Sequence, residues 1–454
     1  MDESKKRKRT EDGENIRDGD VHANDAINLV FWEDSIDKAY TVKPTFTHQV
    51  FDNEVISGLA KPDETSIEVN ICCGDLTTYV GFSKSVCAEE QQILSRNLEA
   101  AVPSDYIKMS SESFAEYAPY KLRRSSSDNL VSRLRGIVRP PGICVHTFTT
   151  HGTNFEIWRA TFADKGAHEL LTRAEKIAVW FIETADGIDF SDDRWEALFL
   201  YSVSEKPCRG GYTDYSDGEN SRGSEWVSSS SGSKVEGPVS VQYYFVGYFT
   251  LFTFRNFIAG CKLRICQALI FPNYQGLGLG REMVLQVYRL ARERAEVKEV
   301  AVEYPAPAFE ALKDVTDCDW ACIVHDEMVA CSQGPISVAV ASSSADSKDV
   351  LPLFHGDAGS CAHHLKLTSQ QAYFVLDALR YCSLPNTKNS KSGIVEESPR
   401  LAEFRTDVKR RLQRENPEVK DLPKPKKFQR LEDLYQIQLQ RFVTVRKHRA
   451  KHKL

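Results

Sequence analysis

At 454 residues the chain is too long for one ordinary core and predicts two or three domains. A hydrophobic fraction of 41% with 27% charged residues supports a packed interior and excludes a wholly disordered chain. The net charge of −6 makes the body mildly acidic, which favours a cationic partner such as a basic peptide over nucleic acid.

Residues 1–24 are polar and charge-dense and read as a disordered basic tail. Within them Lys5-Lys6-Arg7-Lys8-Arg9 is a run of the type read by nuclear import machinery, and no apolar leader opens the chain. Short strands and turns between about Ala26 and Cys144 predict an N-terminal domain over 25–145, with apolar runs at Ile27–Trp32 and Ile67–Cys73. Lys121–Ser127 reads as a surface loop. The next domain is expected over 146–330. In Ala167–Ala185 the apolar residues recur at helical spacing, with Gly187 as a stop. Residues 203–240 are rich in Gly, Ser, Asp and Glu and read as a disordered insertion between two strands. Val239–Phe254 is uncharged and aromatic, yet shorter than the roughly 20 residues a spanning helix needs, so a buried strand is expected and no membrane contact. Leu263–Phe271 reads as a strand, Glu282–Ala295 as an amphipathic helix, and Val297–Tyr304 as a strand closed by Pro305. Pro307 suits the start of a further helix. This alternation predicts an α/β core. Residues 331–350 read as a linker, and 351–454 as a helical region with a basic tail.

Twelve cysteines are scattered without the CxxC spacing of zinc or redox sites, so no metal is expected and the thiols read as buried and reduced.

The stretch Leu263–Ala295 carries the most chemistry. A strand ends at Phe271, Pro272 breaks its ladder, and Gln275-Gly276-Leu277-Gly278-Leu279-Gly280 lead into a helix. Glycines let consecutive N–H groups point inward, and the helix adds its free N–H groups and the positive end of its dipole, together a pyrophosphate seat. The dinucleotide frame G-x-G-x-x-G fails at Arg281, and the Gly-Lys-Ser/Thr of a P-loop is absent.

Two carboxylates stand out. Glu303 closes a strand, where α/β folds place their sites; an exposed strand-end Glu is the equal alternative on position alone. Glu183 is expected in the last turn of the preceding apolar helix, at the negative end of its dipole. Around it Asp186, Asp189, Asp192 and Asp193 form a cluster suited to a basic peptide, or a solvated acidic loop.

The Q-x-x-G-x-G loop resembles the coenzyme A loop of GNAT-type N-acetyltransferases. FTHQVF at Phe46–Phe51, VWFIETADGIDFSDDRW at Val179–Trp195, VGYFTLF at Val246–Phe252, the stretch Gln267–Gly280, VEYPAPAFEALKD at Val302–Asp314 and FRTDVKRRL at Phe404–Leu412 are together similar to the catalytic subunit of type B histone acetyltransferases. That resemblance implies a GNAT-type mixed sheet core with a smaller N-terminal α+β domain and a helical C-terminal region. It implies acetyl-CoA as co-substrate, held by backbone groups of Ala268, Leu269 and Ile270 and by Gln275, Gly276, Leu277, Gly278, Leu279, Gly280 and Arg281. Glu303 matches the general base and Glu183 its supporting carboxylate, with tail contacts on Asp52, Asn53, Glu54, Trp195, Phe252, Thr253 and Phe254. It also implies the N-terminal tail of free histone four as substrate, a WD-repeat histone chaperone as partner, and a place in nucleus and cytoplasm. The chain departs from the family at Tyr304, where an acidic residue is usual, and at Ala308, where a polar coenzyme contact is usual. Two other readings stay open: a non-catalytic histone-binding scaffold, and an acetyltransferase of small amines.

Overall fold

A computed structural model of the chain describes residues 20–33, 39–108, 139–183, 185, 187–207, 239–256, 260–332, 358–385 and 398–452. Lys5–Arg9, Lys121–Ser127, Asp186 and residues 208–238 and 333–357 lie outside the described residues. The chain divides into two compact units. One runs to Tyr248 and includes Leu269–Leu277; the other takes Phe249–Ala268 and everything from Gly278.

In the first unit, β1 (Val21–His22) pairs with β4 (Val55–Ile56), so residues 21–24, expected in the tail, belong to folded elements. A five-stranded sheet has the order β3 (Tyr40–Val42), β2 (Ile27–Trp32), β5 (Ile67–Cys72), β6 (Thr78–Phe82), β7 (Ile107–Lys108). β2 and β5 run parallel at its centre and bury five of their six residues each, which is why both read as continuous apolar runs. Helix α1 (Ala88–Leu98) follows β6. The core gathers Phe31, Trp158, Trp180, Phe199, Phe245 and Phe271, all essentially sealed from solvent.

Helix α2 (Ala167–Ala178) buries Leu170, Leu171, Ala174, Ile177 and Ala178 on one face, as its spacing predicts. It stops seven residues before the expected Ala185. Just past that end the chain is tied to other segments: the Trp180 carbonyl accepts from the N–H groups of Thr45 (2.8 Å) and Phe46 (3.1 Å), and the Trp180 indole N–H donates to the Ala101 carbonyl (3.0 Å).

A second sheet has the order β13 (Val297–Val302), β12 (Cys261–Ile270), β11 (Val239–Phe254), β10 (Trp195–Pro207), β9 (Thr153–Ala160), β8 (Ile143–Thr150). β10 runs through Pro207 and β11 starts at Val239, so the insertion between them is shorter at both ends than its composition implied. β12 and β13 are parallel, with Arg264 opposite Ala301 and Ile265 opposite Val302. At Gly247 a Cβ would lie 2.3 Å from the Leu269 carbonyl oxygen, so only glycine fits where β11 approaches the end of β12.

The second unit is largely helical. Helix α3 (Leu279–Glu293) packs on α4 (Pro307–Ser332), which begins at the expected proline; α5 (Ala358–Leu365), α6 (Ser369–Ser383), α7 (Pro399–Glu415) and α8 (Lys424–His452) follow. Aromatic packing of Phe442 against Phe374 (5.4 Å) and Phe404 (5.8 Å) joins α8 to α6 and α7, and a bidentate Arg441–Asp314 pair (2.6 and 2.7 Å) ties α8 to α4. Among the described residues no helix is long and apolar enough to cross a membrane.

Candidate functional site

The loop after β12 is built by two kinds of glycine. Gly276 and Gly278 have φ of +78° and +84°, with open space where a side chain would go, so backbone conformation alone demands glycine there. Gly280 has helical backbone, and a Cβ there would come within 2.9 Å of the Leu312 side-chain tip, so α3 packs closely on α4 at this point and a larger residue would require that side chain to shift. Phe271 is buried and anchors the loop's start, and the Gln275 amide donates back to the Ile270 carbonyl (2.9 Å). Helix α3 opens at Gly278 without a side-chain cap. Its first-turn N–H groups are therefore the type of donor set that a pyrophosphate accepts from. The Arg281 guanidinium is committed to Asp319 (2.8 Å) and Glu282 (2.7 Å), which leaves its backbone N–H as the donor it can offer there.

Glu303 lies just beyond β13, and its N–H donates to the Ile265 carbonyl (3.0 Å), continuing the parallel register by one step. That register sets it beside two β12 residues on one face, Arg264 and Cys266. Arg264 Nη1 donates to Glu303 Oε1 at 2.7 Å, and its guanidinium also stacks over the Phe254 ring at 4.1 Å. The carboxylate is thus oriented, and with its side chain 36% exposed it stays open to a substrate. Burial first, and then the Glu303 carboxylate, push the Cys266 thiol up to about 12, so it is a neutral neighbour of Glu303. Phe252 and Phe254 are in edge contact at 4.6 Å, and Thr250 Oγ1 accepts from the Gln267 N–H (2.9 Å) between β11 and β12. Tyr304 is 95% exposed with φ of +37°, a conformation a bulky residue rarely adopts. Ala308 is exposed in the first turn of α4.

Glu183 is exposed and lies five residues past the end of α2, so the helix-dipole argument does not apply to it. The Gln49 amide donates to its backbone carbonyl, which fixes the segment Phe46–Phe51 against it. Beyond Phe51, Asn53 and Glu54 take left-handed φ values of 52° and 56° in a tight turn. Glu54 lies 3.4 Å from His22 Nε2 and 3.9 Å from His48 Nδ1. Asp52 is exposed, and Trp195 is half-buried with its N–H donating to the Asp192 carbonyl (3.0 Å). Of the acidic cluster, Asp192 pairs with Arg194 and Asp189 accepts from the Ser191 N–H (3.1 Å), and both Asp189 and Asp193 are exposed.

Sequence reasoning named Glu303 but missed Arg264 and Cys266. Their i, i+2 spacing on β12 was the available signal. It also missed His22 and His48. Among the described cysteines Cys72, Cys73, Cys318 and Cys361 are buried, while Cys87 and Cys144 are exposed, so the expectation of buried thiols holds only in part. No described group of three His, Cys, Asp or Glu side chains could hold a metal ion.

The family described as "Histone acetyl transferase HAT1 N-terminus" matches residues 20–183. A histone acetyltransferase type B catalytic subunit of Aspergillus oryzae is 26% identical over 332 residues, covering 65% of this chain and 56% of its own length. The Homo sapiens protein of the same description is 24% identical over 312 residues, covering 64% of this chain and 62% of its own length. The chain therefore spans rather less than two thirds of these relatives. A solved aminoglycoside acetyltransferase from an uncultured soil metagenomic sample, in complex with sisomicin, overlaps 42% of this chain and 94% of its own at 12% identity, with a TM-score of only 0.22. By the match over residues 20–183 and by these relatives, the chain is similar to the histone acetyltransferase type B catalytic subunits.

Proposed function

We propose that the chain transfers the acetyl group of acetyl-CoA to lysine side chains in the N-terminal tail of free histone four. The observation that carries this reading is the turn Gln275–Arg281, whose two left-handed glycines open an uncapped 15-residue helix. Residues Gln275 to Arg281 would hold the coenzyme's pyrophosphate through backbone donors, and Ala268, Leu269 and Ile270 its pantetheine arm.

Lysine reacts only as the neutral amine, and its ammonium has a pKa of roughly 10.4. Glu303 takes that proton, directly or through a water, while Arg264 keeps the carboxylate aimed. The amine then forms the amide bond at the thioester carbon as the C–S bond breaks, and the departing sulfur leaves as a thiol. A strand N–H polarises the carbonyl oxygen during attack. A neutral thiol at Cys266 makes a poor nucleophile, which favours direct transfer over an acetyl-cysteine route. Glu183 supports the base, and Asp52, Asn53, Glu54, Trp195 and Phe252, Thr253 and Phe254 receive the basic tail. The Lys5–Arg9 run supports nuclear import beside a cytoplasmic pool, and a WD-repeat chaperone is the expected partner.

Acetylation of a histone four tail peptide with radiolabelled acetyl-CoA tests the reading, beside a panel of polyamines and aminoglycosides. Transfer to the peptide in clear excess over the small amines supports it; transfer to the small amines alone sinks it. Tyr304, exposed where the family has an acid, favours a second reading as a histone-binding scaffold. Coenzyme and peptide binding without any transfer would establish that reading instead.

A further inference from the structure

Helices α6 and α7 and the turn Pro417–Asp421 border an open cleft of about 620 Å³, lined by none of the residues assigned above to catalysis, coenzyme or tail. Five cations line it against two carboxylates. Arg380 and Arg410 share Asp407, at 2.9 and 3.3 Å. Arg411 is pinned by Asp377 through Nε and by Glu415 through Nη1, both at 2.7 Å, and its side chain is only 7% exposed. Its remaining nitrogen, Nη2, is buried with no hydrogen-bond partner among the described residues. Arg414 and Lys420 stand exposed at the same cleft and enter no ion pair among the described residues.

Buried guanidinium nitrogens are almost always satisfied, because a donor stripped of water and given no acceptor costs free energy. Here two of Arg411's three nitrogens are fixed by carboxylates, and the third has no acceptor among the described residues, as Oε1 of Glu415 beside it has no donor there. An anion oxygen supplies the acceptor. The planar fork of arginine matches the oxygens of a phosphate group, and several arginines together favour more than one such group. The volume falls within the roughly 300–1,000 Å³ of small-ligand sites. Tyr373 and Leu376 add an apolar wall against which a carbon skeleton can rest.

We propose that this cleft binds a small polyanion with clustered phosphate groups, either an inorganic polyphosphate or a polyphosphate ester. Calorimetric titration of the full chain with inorganic tripolyphosphate and, separately, inositol hexakisphosphate tests it. The expected result is saturable one-to-one binding of at least one probe. In Arg414→Gln with Lys420→Gln that binding weakens by roughly tenfold or more. Both side chains are exposed, so the circular dichroism and melting temperature of this variant should match wild type. Lys447→Gln with Lys451→Gln removes the same charge from exposed positions of α8 and should leave binding unchanged. Binding of both probes assigns the site to phosphate clusters in general, and binding of the hexakisphosphate alone to an organic polyphosphate. No saturable binding of either probe overturns the proposal, as does wild-type binding in the cleft variant or an equal loss in the control.

Discussion

Replacing Lys313 by Met tests how the helix that opens at the glycine-rich loop is held. Lys313 on α4 donates to Asp317 one turn later (2.6 Å) and to the Tyr288 hydroxyl on α3 (2.7 Å), while Tyr288 donates to Asp317. The side chains of Lys313 and Asp317 are only 7% and 2% exposed. Removing the lysine strands a buried carboxylate, and breaking a buried pair in this way costs about 3–5 kcal/mol. Two lost hydrogen bonds to a charged group, at about 1.5–3 kcal/mol each, lead to the same range. Burial raises the Asp317 pKa, and Lys313 is the strongest influence lowering it. Without the lysine the folded state holds the Asp317 proton to higher pH than the unfolded chain does. The variant's deficit should therefore be smallest in acid and grow as pH rises above the ordinary carboxylate range. Urea unfolding followed by tryptophan fluorescence reads this, since Trp320 stacks on Tyr288 with ring centroids 5.7 Å apart. Lys313→Met, Asp317→Leu and Tyr288→Phe combined should recover stability to within about 1 kcal/mol of wild type. A single variant that loses less than about 1 kcal/mol at pH 7, or a triple variant no better than the single, would refute the reasoning.

Gly278→Ala forces a Cβ into φ of +84° without a clash, so it should cost about 1–2 kcal/mol of backbone strain. Coenzyme affinity should fall at least tenfold while overall helicity is kept, as fluorescence titration would check. Gly247→Ala meets a backbone oxygen at 2.3 Å that no rotamer can relieve, and urea unfolding should show a loss of about 1–3 kcal/mol or more. Alkylation with iodoacetamide at pH 8, read by peptide mass spectrometry, should label exposed Cys87 well before Cys266, whose thiol is pushed up to about 12. Early labelling of Cys266 would reopen a thiol route for the acetyl group.

Local rules carried the loop and the helix that follows it. Gly276 and Gly278 announce their left-handed backbone, and Val284, Val287, Tyr288 and Ala291 announce a buried face that α3 indeed presents. What the sequence concealed depends on partners far along the chain. The apolar spacing continues past Ala178, but there the chain leaves the helix and binds Thr45, Phe46 and Ala101 through Trp180, so Glu183 falls outside the helix. Arg264 and Cys266 meet Glu303 only through the β12–β13 register, which no local pattern specifies. The left-handed turn at Asn53 and Glu54 has no glycine to announce it.

The central claim rests on Glu303, and the direct test is steady-state acetylation of the histone four tail peptide by wild type and Glu303→Gln, with coenzyme affinity measured on both. The account predicts a fall in kcat of roughly 10²–10⁴-fold, the range removed with a general base, at unchanged coenzyme affinity. Glu303→Gln turning over within a few-fold of wild type would contradict it and move the base to another carboxylate.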